Sequence, residues 1–157
     1  MYPNSKLAMS TSGVKPHLLK KLAKEEFPVP FKLQISIHST YEHIRQKLMP
    51  HAGRAAGIKQ YAPFFKESGM ELEYNYVLLD GINDQSADAA RLAEFADGTT
   101  IKLNMLNAVP GSQFKFSENF ERFCEVLTEK GANFEFYRTN GTDINAACGQ
   151  LSHKVRG

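Results

Sequence analysis

A cysteine near the carboxyl end of the sequence has the surroundings of a thiol that could do chemistry. Cys148 lies between Ala147 and Gly149 in the segment 143–151, so no bulky sequence neighbour shields its sulfur. A polar turn at 139–142 precedes it, and segments near chain ends move unless they are docked. Small neighbours and a mobile backbone suit a thiol that must reach into a site and withdraw. The alternative is a short terminal helix in which Cys148 is a small, half-buried hydrophobe.

The second cysteine, Cys124, has a different setting. It lies inside the apolar helical pattern of residues 117–130, so we expect it to pack in the core. The two cysteines form no CxxC pair and no zinc framework, and the sequence has no P-loop, GxGxxG or HExxH motif. A structural disulfide between them is not expected in a reducing compartment.

Further polar residues follow segments with the hydrophobic periodicity of strands. Most have a structural explanation as well. Ser10, Ser12 and Asn107 could satisfy backbone groups at strand ends, Asp80 and Asn83 could form a turn, and His38 could be a satisfied, partly buried histidine. Their common position in the pattern is better evidence than any one of them. They are Ser10, Ser12, Ser36, His38, Asp80, Asn83 and Asn107.

Strand and helix patterns alternate along the chain. Strands are predicted at 6–12, 31–37, 70–79, 99–106 and 133–138, and helices at 17–27, 41–49, 55–68, 86–95 and 117–130. This α/β alternation predicts a parallel sheet of about five strands with crossover helices. Right-handed crossovers bring all carboxyl ends of the strands to one edge, where α/β proteins bind ligands. The polar residues therefore predict a small-molecule site at that edge.

The bulk properties fit an ordinary globular domain. The chain has 157 residues, of which 42% are hydrophobic and 23% charged, and a net charge of +2 that is too small to indicate nucleic-acid binding by itself. No apolar run is long enough to cross a bilayer, and the start of the sequence lacks the apolar core of a secretion signal. We therefore expect a cytoplasmic protein with no membrane partner.

Five strands are too few to close an eight-stranded barrel. An open sheet leaves its edge strands exposed, and the strand at 6–12 would then invite another segment to pair with it. Two architectures remain open at this point: a small, flat, doubly wound binding domain that is a stable monomer, or a portion of a larger barrel.

Five motifs occur in the order in which they stand in the C-terminal half of a known family. Together they resemble the radical S-adenosylmethionine RNA methyltransferases of the RlmN/Cfr type, and the resemblance extends over nearly the whole chain. The cysteine motif and the run at 76–84 are the most specific. The motifs are Ser10-Thr11-Ser12-Gly13, Ser36-Ile37-His38, residues 73–84 (EYNYVLLDGIND), Asn107-Ala108-Val109-Pro110-Gly111 and residues 143–151 (DINAACGQL).

The resemblance implies a fold and a set of cofactors. The fold would be the C-terminal part of a partial, TIM-like (β/α) radical-SAM barrel over residues 1–139, followed by a mobile segment at 140–157 with the reactive cysteine. S-adenosylmethionine and a 4Fe-4S cluster would lie at the carboxyl edge of the strands. By motif position, the residues that contact S-adenosylmethionine would be Ser10, Ser36, Ile37, His38 and Asn107.

The resemblance also implies a reaction. These enzymes methylate an adenine of 23S rRNA at C2 or C8, and the C2 enzymes also modify tRNA. Cys148 would first accept a methyl group, and a 5′-deoxyadenosyl radical would then remove hydrogen from that S-methyl group. The resulting carbon radical would add to the adenine ring, and a second cysteine would resolve the adduct.

The sequence departs from the family pattern in several places. The CxxxCxxC cluster motif, the Gly-Glu-Pro segment, the resolving cysteine and the N-terminal RNA-binding domain are absent, and all would lie upstream of Met1. We therefore expect this chain to need a missing N-terminal half and to be inactive alone. Ser39-Thr40 replaces the usual Ala-Pro, and Asn140 stands where an arginine is common. The alternative is a truncated, non-catalytic relative that acts as an RNA- or ribosome-associated module, or binds a small molecule.

Overall fold

A single parallel sheet with helices between its strands makes up the protein in the computed structural model. The structure describes residues 5–105 and 113–138, with the backbone only at 137 and 138. The strands are β1 (Leu7–Thr11), β2 (Phe31–Ser36), β3 (Glu71–Leu78), β4 (Thr100–Met105) and β5 (Phe134–Arg138). The helices are α1 (Leu18–Leu22), α2 (Glu42–Leu48), α3 (Ala55–Ser68), α4 (Ser86–Ala96) and α5 (Phe120–Glu129). The predicted α/β class with five strands is confirmed.

The order of the strands in the sheet follows the order of the chain. All four pairings are parallel, and the sheet runs β1-β2-β3-β4-β5. A doubly wound domain reverses its strand order at a switch point. The described strands show no reversal, so the architecture of a small doubly wound domain is wrong. The sheet is a consecutive run of β/α units, as in a section of a (β/α) barrel.

One face of the sheet is apolar. Side chains alternate between the two faces along each strand, and the apolar residues occupy every second position. In β2, Leu33 and Ile35 are fully buried, and Ile37 continues this face just beyond the strand. Tyr74 and Tyr76 of β3 lie on the same face, each 1% exposed. The alternation of apolar residues read from the sequence therefore marks the core side of the sheet.

The helices cover this apolar face. Ile58 and Phe65 of α3, Leu92 of α4, and Phe123 and Leu127 of α5 are fully buried and belong to the same core as the strand residues. Burial of one such side chain contributes about 1.5–3 kcal/mol. The packing of these helices fixes the strands, and so fixes the positions of the residues at their carboxyl ends.

Two helix boundaries differ from the predicted ones for local reasons. α1 ends at Leu22 rather than Phe27, and the Phe27 ring leaves the helix to stack on Phe31 with 4.2 Å between ring centroids. α4 is capped by the residue before the predicted serine. The side chains of Gln85 and Asp88 accept hydrogen bonds from each other's backbone N–H groups, which forms a capping box.

α5 begins later than predicted. Its first residue is Phe120, whereas the sequence pattern indicates Ser117 as the cap. The Ser117 hydroxyl donates to Asp84 Oδ2 at 2.6 Å and accepts from the backbone N–H of Asn119 at 3.0 Å. Ser117 therefore closes a turn that ties the start of α5 to the loop after β3.

The described part of the chain contains no helix that is both long and apolar enough to cross a membrane. The segment 140–157, predicted to be mobile and to carry the reactive cysteine, lies outside the described residues, so the boundary at 139 stays a prediction.

Candidate functional site

Two of the serines predicted to contact the cofactor lie on neighbouring strands and on the polar face of the sheet. Ser10 in β1 pairs with Gln34 in β2, and Ser36 is two residues further along β2 on the same face. Ser10 is exposed, and its hydroxyl donates to Gln34 Oε1 at 3.0 Å, while Ser36 is half-buried. The structure therefore brings these two serines together near the carboxyl edge.

Ile37 and His38 are the next two residues predicted to contact the cofactor, and their side chains point to different places. The Ile37 side chain is fully buried in the core, so only its backbone faces the carboxyl edge. His38 turns away from the strand with a φ of 54°, a left-handed conformation that is uncommon outside glycine. Its Nδ1 accepts a hydrogen bond from the Val77 N–H at 3.1 Å. Burial and, to a smaller extent, the charge of Arg45 lower the pKa of His38 to about 4, so the ring is neutral at pH 7.

A buried arginine lies beneath this turn. Arg45 of α2 is fully buried, and its Nε donates to the Gly53 carbonyl at 2.8 Å. Its Nη2 donates to the Ser12 carbonyl at 2.8 Å, and its Nη1 donates to the carbonyls of Ser36, at 2.9 Å, and Ile37. Burial lowers the pKa of Arg45 to about 10, which still leaves it charged at pH 7. One guanidinium thus joins the carboxyl ends of β1 and β2 and the loop before α3.

A buried asparagine lies on the other side of the same turn. Asn83 donates from Nδ2 to the carbonyls of His38, at 2.6 Å, and Val77, at 2.8 Å. Its Oδ1 accepts from the Leu79 N–H at 2.7 Å, and its own carbonyl accepts from the Tyr76 hydroxyl at 2.7 Å. Asn83 lies in the turn-rich loop after β3, as the sequence predicts, and its side chain also links the ends of β2 and β3.

The polar face carries a network of charges centred on Glu73. This carboxylate, 3% exposed, accepts from Gln34 Nε2 at 3.0 Å and lies 3.0 Å from Lys32 Nζ and 3.3 Å from Lys102 Nζ. Lys102 also pairs with Glu135. Burial alone would raise the pKa of Glu73, but the hydrogen bonds from Gln34, Lys32 and Lys102 outweigh it and lower the pKa. Through Gln34, the network extends to the serine of β1.

The cysteine that the structure describes has a packing role. Cys124 is half-buried on α5 against the core, and burial raises the pKa of its thiol, which confirms the predicted packing role. Cys148 and Asn107 lie outside the described residues.

The residues that the structure describes contain no group of three His, Cys, Asp or Glu that could hold a metal ion. With no CxxxCxxC spacing in the sequence either, these residues do not fit a 4Fe-4S cluster.

The carboxyl edge has the chemistry of a binding site rather than of an acid–base centre. It presents serine hydroxyls and a neutral imidazole, which together donate and accept hydrogen bonds. A histidine with a pKa near 4 is a poor general base or acid at neutral pH. Such groups fit the hydroxyl, amino and carboxylate groups of a ligand like S-adenosylmethionine.

Two residues at the site, Arg45 and Glu73, are absent from the sequence prediction, and the role of a third, Asn83, is predicted only in part. The spacing of Arg45 could have indicated its burial, because it stands four residues after Tyr41 and three before Leu48, on the apolar stripe of its helix. Asn83 is among the polar residues predicted at this edge, with turn formation as the alternative, but its bonds to two strand ends are not predicted. Glu73 has the alternation expected of the polar face, but its burial depends on two lysines from neighbouring strands, which no local pattern reveals.

Two curated relatives of the chain carry the same name. The chain is 32% identical over 158 residues to a probable dual-specificity RNA methyltransferase RlmN of Cytophaga hutchinsonii, covering 96% of this chain and 42% of the relative. It is 34% identical over 157 residues to the protein of the same name in Chlorobium phaeovibrioides, covering 95% of this chain and 41% of the relative. No family model matches the chain. The chain thus spans less than half the length of these curated relatives.

A solved structure agrees with both the fold and the sequence similarity. The radical SAM methyltransferase of Sphaerobacter thermophilus superposes with a TM-score of 0.72 and 30% identity, covering 91% of this chain and 43% of that protein. The cofactor expected from the sequence, S-adenosylmethionine, agrees with the name of this radical SAM methyltransferase. The chain is therefore related, over nearly its whole length, to the C-terminal half of RlmN-type proteins of the radical SAM methyltransferase family.

Proposed function

We propose that this chain forms the part of a radical SAM RNA adenine methyltransferase that contacts S-adenosylmethionine and carries the methyl-bearing cysteine. One observation carries the proposal. Ser10 in β1, Ser36 in β2 and His38 in the turn after β2 match the family's cofactor motifs and lie at the polar carboxyl edge of the sheet. This is the edge at which (β/α) proteins bind ligands.

In this proposal the described residues hold the cofactor by hydrogen bonds. The hydroxyls of Ser10 and Ser36 and the imidazole of His38 offer donors and acceptors. The backbone N–H and carbonyl of Ile37 have protein partners, so the contact proposed for Ile37 is one of van der Waals packing only. Asn107 would add a contact from the segment after β4. When bound, S-adenosylmethionine supplies a methyl group on a positively charged sulfur and is the source of the radical.

Cys148 is proposed to carry the methyl group as S-methylcysteine. A thiolate is a good nucleophile towards such a methyl group, and the flanking Ala147 and Gly149 leave the sulfur accessible in the sequence. The proposed target is an adenine of 23S rRNA, at C2, with tRNA as a second substrate. The names of the relatives, which describe dual-specificity RNA methyltransferases, support an RNA target.

The cluster is the part of the chemistry that these residues do not supply. Two cysteines far apart in the sequence offer no cluster motif, so a partner polypeptide segment with CxxxCxxC must accompany them. We propose that this segment is an N-terminal half of the same protein and that the 157 residues alone do not methylate RNA. The competing function is a non-catalytic relative that keeps the fold and has lost the reaction.

A chimera separates these two functions. In it, residues 5–157 replace the corresponding segment of the Cytophaga hutchinsonii relative, which then supplies the cluster-binding part. The chimera is expressed in bacteria that lack their own enzyme of this kind, and C2-methyladenosine in 23S rRNA is measured by mass spectrometry. We expect methylation, together with a peptide that contains Cys148 and is heavier by one CH2 group.

Two cysteine variants provide the control within the chimera. Cys148→Ala should abolish methylation and leave S-adenosylmethionine binding nearly intact, whereas Cys124→Ala should keep methylation because this thiol packs against the core. A chimera that folds and assembles its cluster but leaves the rRNA unmethylated would favour the non-catalytic relative. Methylation by Cys148→Ala would remove that cysteine from the reaction.

A further inference from the structure

We propose that Arg45 and Asn83 are positioning residues that lock the turn at 36–38, so that His38 offers its Nε2–H to the carboxyl edge as a fixed hydrogen-bond donor. The role of this donor rests on the proposed function, since the turn borders the proposed cofactor site. Arg45 lies outside the family motifs, and Asn83 belongs to the motif at 73–84 but is not one of the residues expected to contact the cofactor. Both side chains are fully buried.

The first support is that three consecutive carbonyls of the turn are each held by a buried side chain. Arg45 donates to the carbonyls of Ser36 and Ile37, and Asn83 donates to the carbonyl of His38. Carbonyls at a strand end that have no ladder partner must bond to side chains, to water or to a ligand. Here these carbonyls have protein partners, so the turn presents side chains rather than carbonyl oxygens.

The second support is the way in which the sheet ends. The Ile37 N–H donates to the Asn75 carbonyl at 2.9 Å, as a parallel ladder requires. In a regular ladder, the next bond would run from the Val77 N–H to the Ile37 carbonyl. Instead, Val77 donates to His38 Nδ1 at 3.1 Å, because Arg45 and the Ser39 N–H, at 2.7 Å, occupy that carbonyl and the left-handed backbone at His38 brings the ring over β3.

This arrangement sets the tautomer of the ring. A nitrogen that accepts a hydrogen bond uses its lone pair, so the single proton of a neutral imidazole must be on the other nitrogen. His38 is half-buried, and Nε2 has no partner among residues 5–105 and 113–138. The ring therefore offers one donor of fixed direction. It suits an oxygen or a ring nitrogen of the ligand, such as those of ribose, a carboxylate or adenine.

Arg45 suits this role better than lysine would. Its four bonds go to carbonyls of three separate segments, at residues 12, 36–37 and 53, and a planar guanidinium with five donors can reach all of them at once. The ion pairs of the described residues do not include Arg45, so its contacts with backbone oxygens define its position. A lysine ammonium would reach fewer of these carbonyls and would hold the turn less firmly.

The test is the nitrogen NMR spectrum of the histidine rings in the ligand-free 157-residue chain at neutral pH. We expect His38 to show one protonated nitrogen, Nε2, and one unprotonated nitrogen, Nδ1, with widely separated shifts. The exposed rings of His17, His43 and His51 give reference signals in the same spectrum. Because no cofactor is present, the result does not depend on whether the chain binds S-adenosylmethionine or supports methylation.

Two variants test the positioning role. Asn83→Asp keeps the acceptor for the Leu79 N–H but removes both donors, and Arg45→Lys keeps the charge but loses the planar fork. In both we expect the two His38 nitrogen shifts to move towards each other, because exchange between tautomers averages them. Arg54→Lys is the matched control, since the Arg54 side chain is 76% exposed, and it should leave the shifts unchanged.

A role that is only structural would lower the melting temperature of Arg45→Lys and Asn83→Asp without moving the His38 shifts in the folded chain. That result would overturn the proposal. A wild-type His38 with its proton on Nδ1, or with both nitrogens protonated at neutral pH, would overturn it as well. The wild-type spectrum decides the tautomer even if a variant does not fold.

Discussion

The two faces of the same sheet are stabilised in different ways. On the apolar face, Leu33 and Ile35 of β2 pack under helices and have no accessible surface. On the polar face, Ser10, Gln34 and Glu73 from three successive strands bond to one another, and β1, where this row starts, is at the edge of the sheet. The apolar face depends on burial, and the polar face depends on directional bonds and charge.

This difference separates stability from binding. Close packing makes the apolar face sensitive to changes of volume, and its residues have no group to offer a ligand. The polar face keeps hydroxyls, amides and charges in fixed positions without helices above them among the described residues. A (β/α) section can therefore hold a site on one face while the other face supplies the free energy of folding. Substitutions on the two faces should then have different costs.

The largest effect is expected on the apolar face. Phe65→Ala removes a fully buried ring of α3 from the core and should lower the free energy of unfolding by about 3–5 kcal/mol. The neighbouring Phe64 is only half-buried, so Phe64→Ala should cost clearly less. Chemical denaturation of both variants measures the difference. Equal costs would show that α3 does not pack on the sheet in the way that the structure shows.

A smaller effect is expected from the charge at the centre of the polar face. Glu73→Gln leaves Lys32 and Lys102 without their buried partner and should cost about 2 kcal/mol at pH 7. Glu71→Gln is the matched control on the same strand. Its carboxylate is half exposed and pairs with Lys32 at 2.8 Å, so it should cost less than about 1 kcal/mol.

The cost of Glu73→Gln should also depend on pH. The pKa of Glu73 is lower in the folded chain than the ordinary 4.5, so its stabilisation is present above 4.5 and is lost as pH falls through the lowered folded value. The wild type and Glu73→Gln should therefore converge in stability in acid. Denaturation curves at several pH values measure this. A difference that stays constant down to the most acidic pH would mean that the carboxylate charge is not what stabilises the network.

Most of the fold could be predicted from the sequence, because local patterns encode it. Alternation in β2 and helical spacing around Phe123 follow from which side of each element faces the core. The ends of elements were less predictable. Where α1 stops depends on the Phe27–Phe31 ring stack, and where α5 starts depends on Ser117, whose hydroxyl bonds to Asp84 from a distant loop.

The site was predictable only in part, because local patterns encode where its residues lie but not the distant contacts that fix them. The positions of Ser10, Ser36 and His38 at the carboxyl edge follow from the order of strands and helices. The contacts that fix them do not, because Arg45 binds carbonyls of three segments and Asn83 spans two strand ends. Such contacts bring together residues far apart in the chain, and a single sequence has no local signal for them.

The smallest effect on stability, and the most informative one for function, is expected at Ser10. Ser10→Ala removes one exposed hydrogen bond to Gln34 and should change the free energy of unfolding by less than about 0.5 kcal/mol. If its hydroxyl binds the cofactor, the same change should weaken S-adenosylmethionine binding to the chimera about tenfold, measured by calorimetry. Ser68→Ala removes the exposed serine at the end of α3, which bonds only to its own turn, and should leave the affinity for S-adenosylmethionine unchanged. Unchanged affinity in Ser10→Ala would mean that the polar face does not hold the cofactor at this strand.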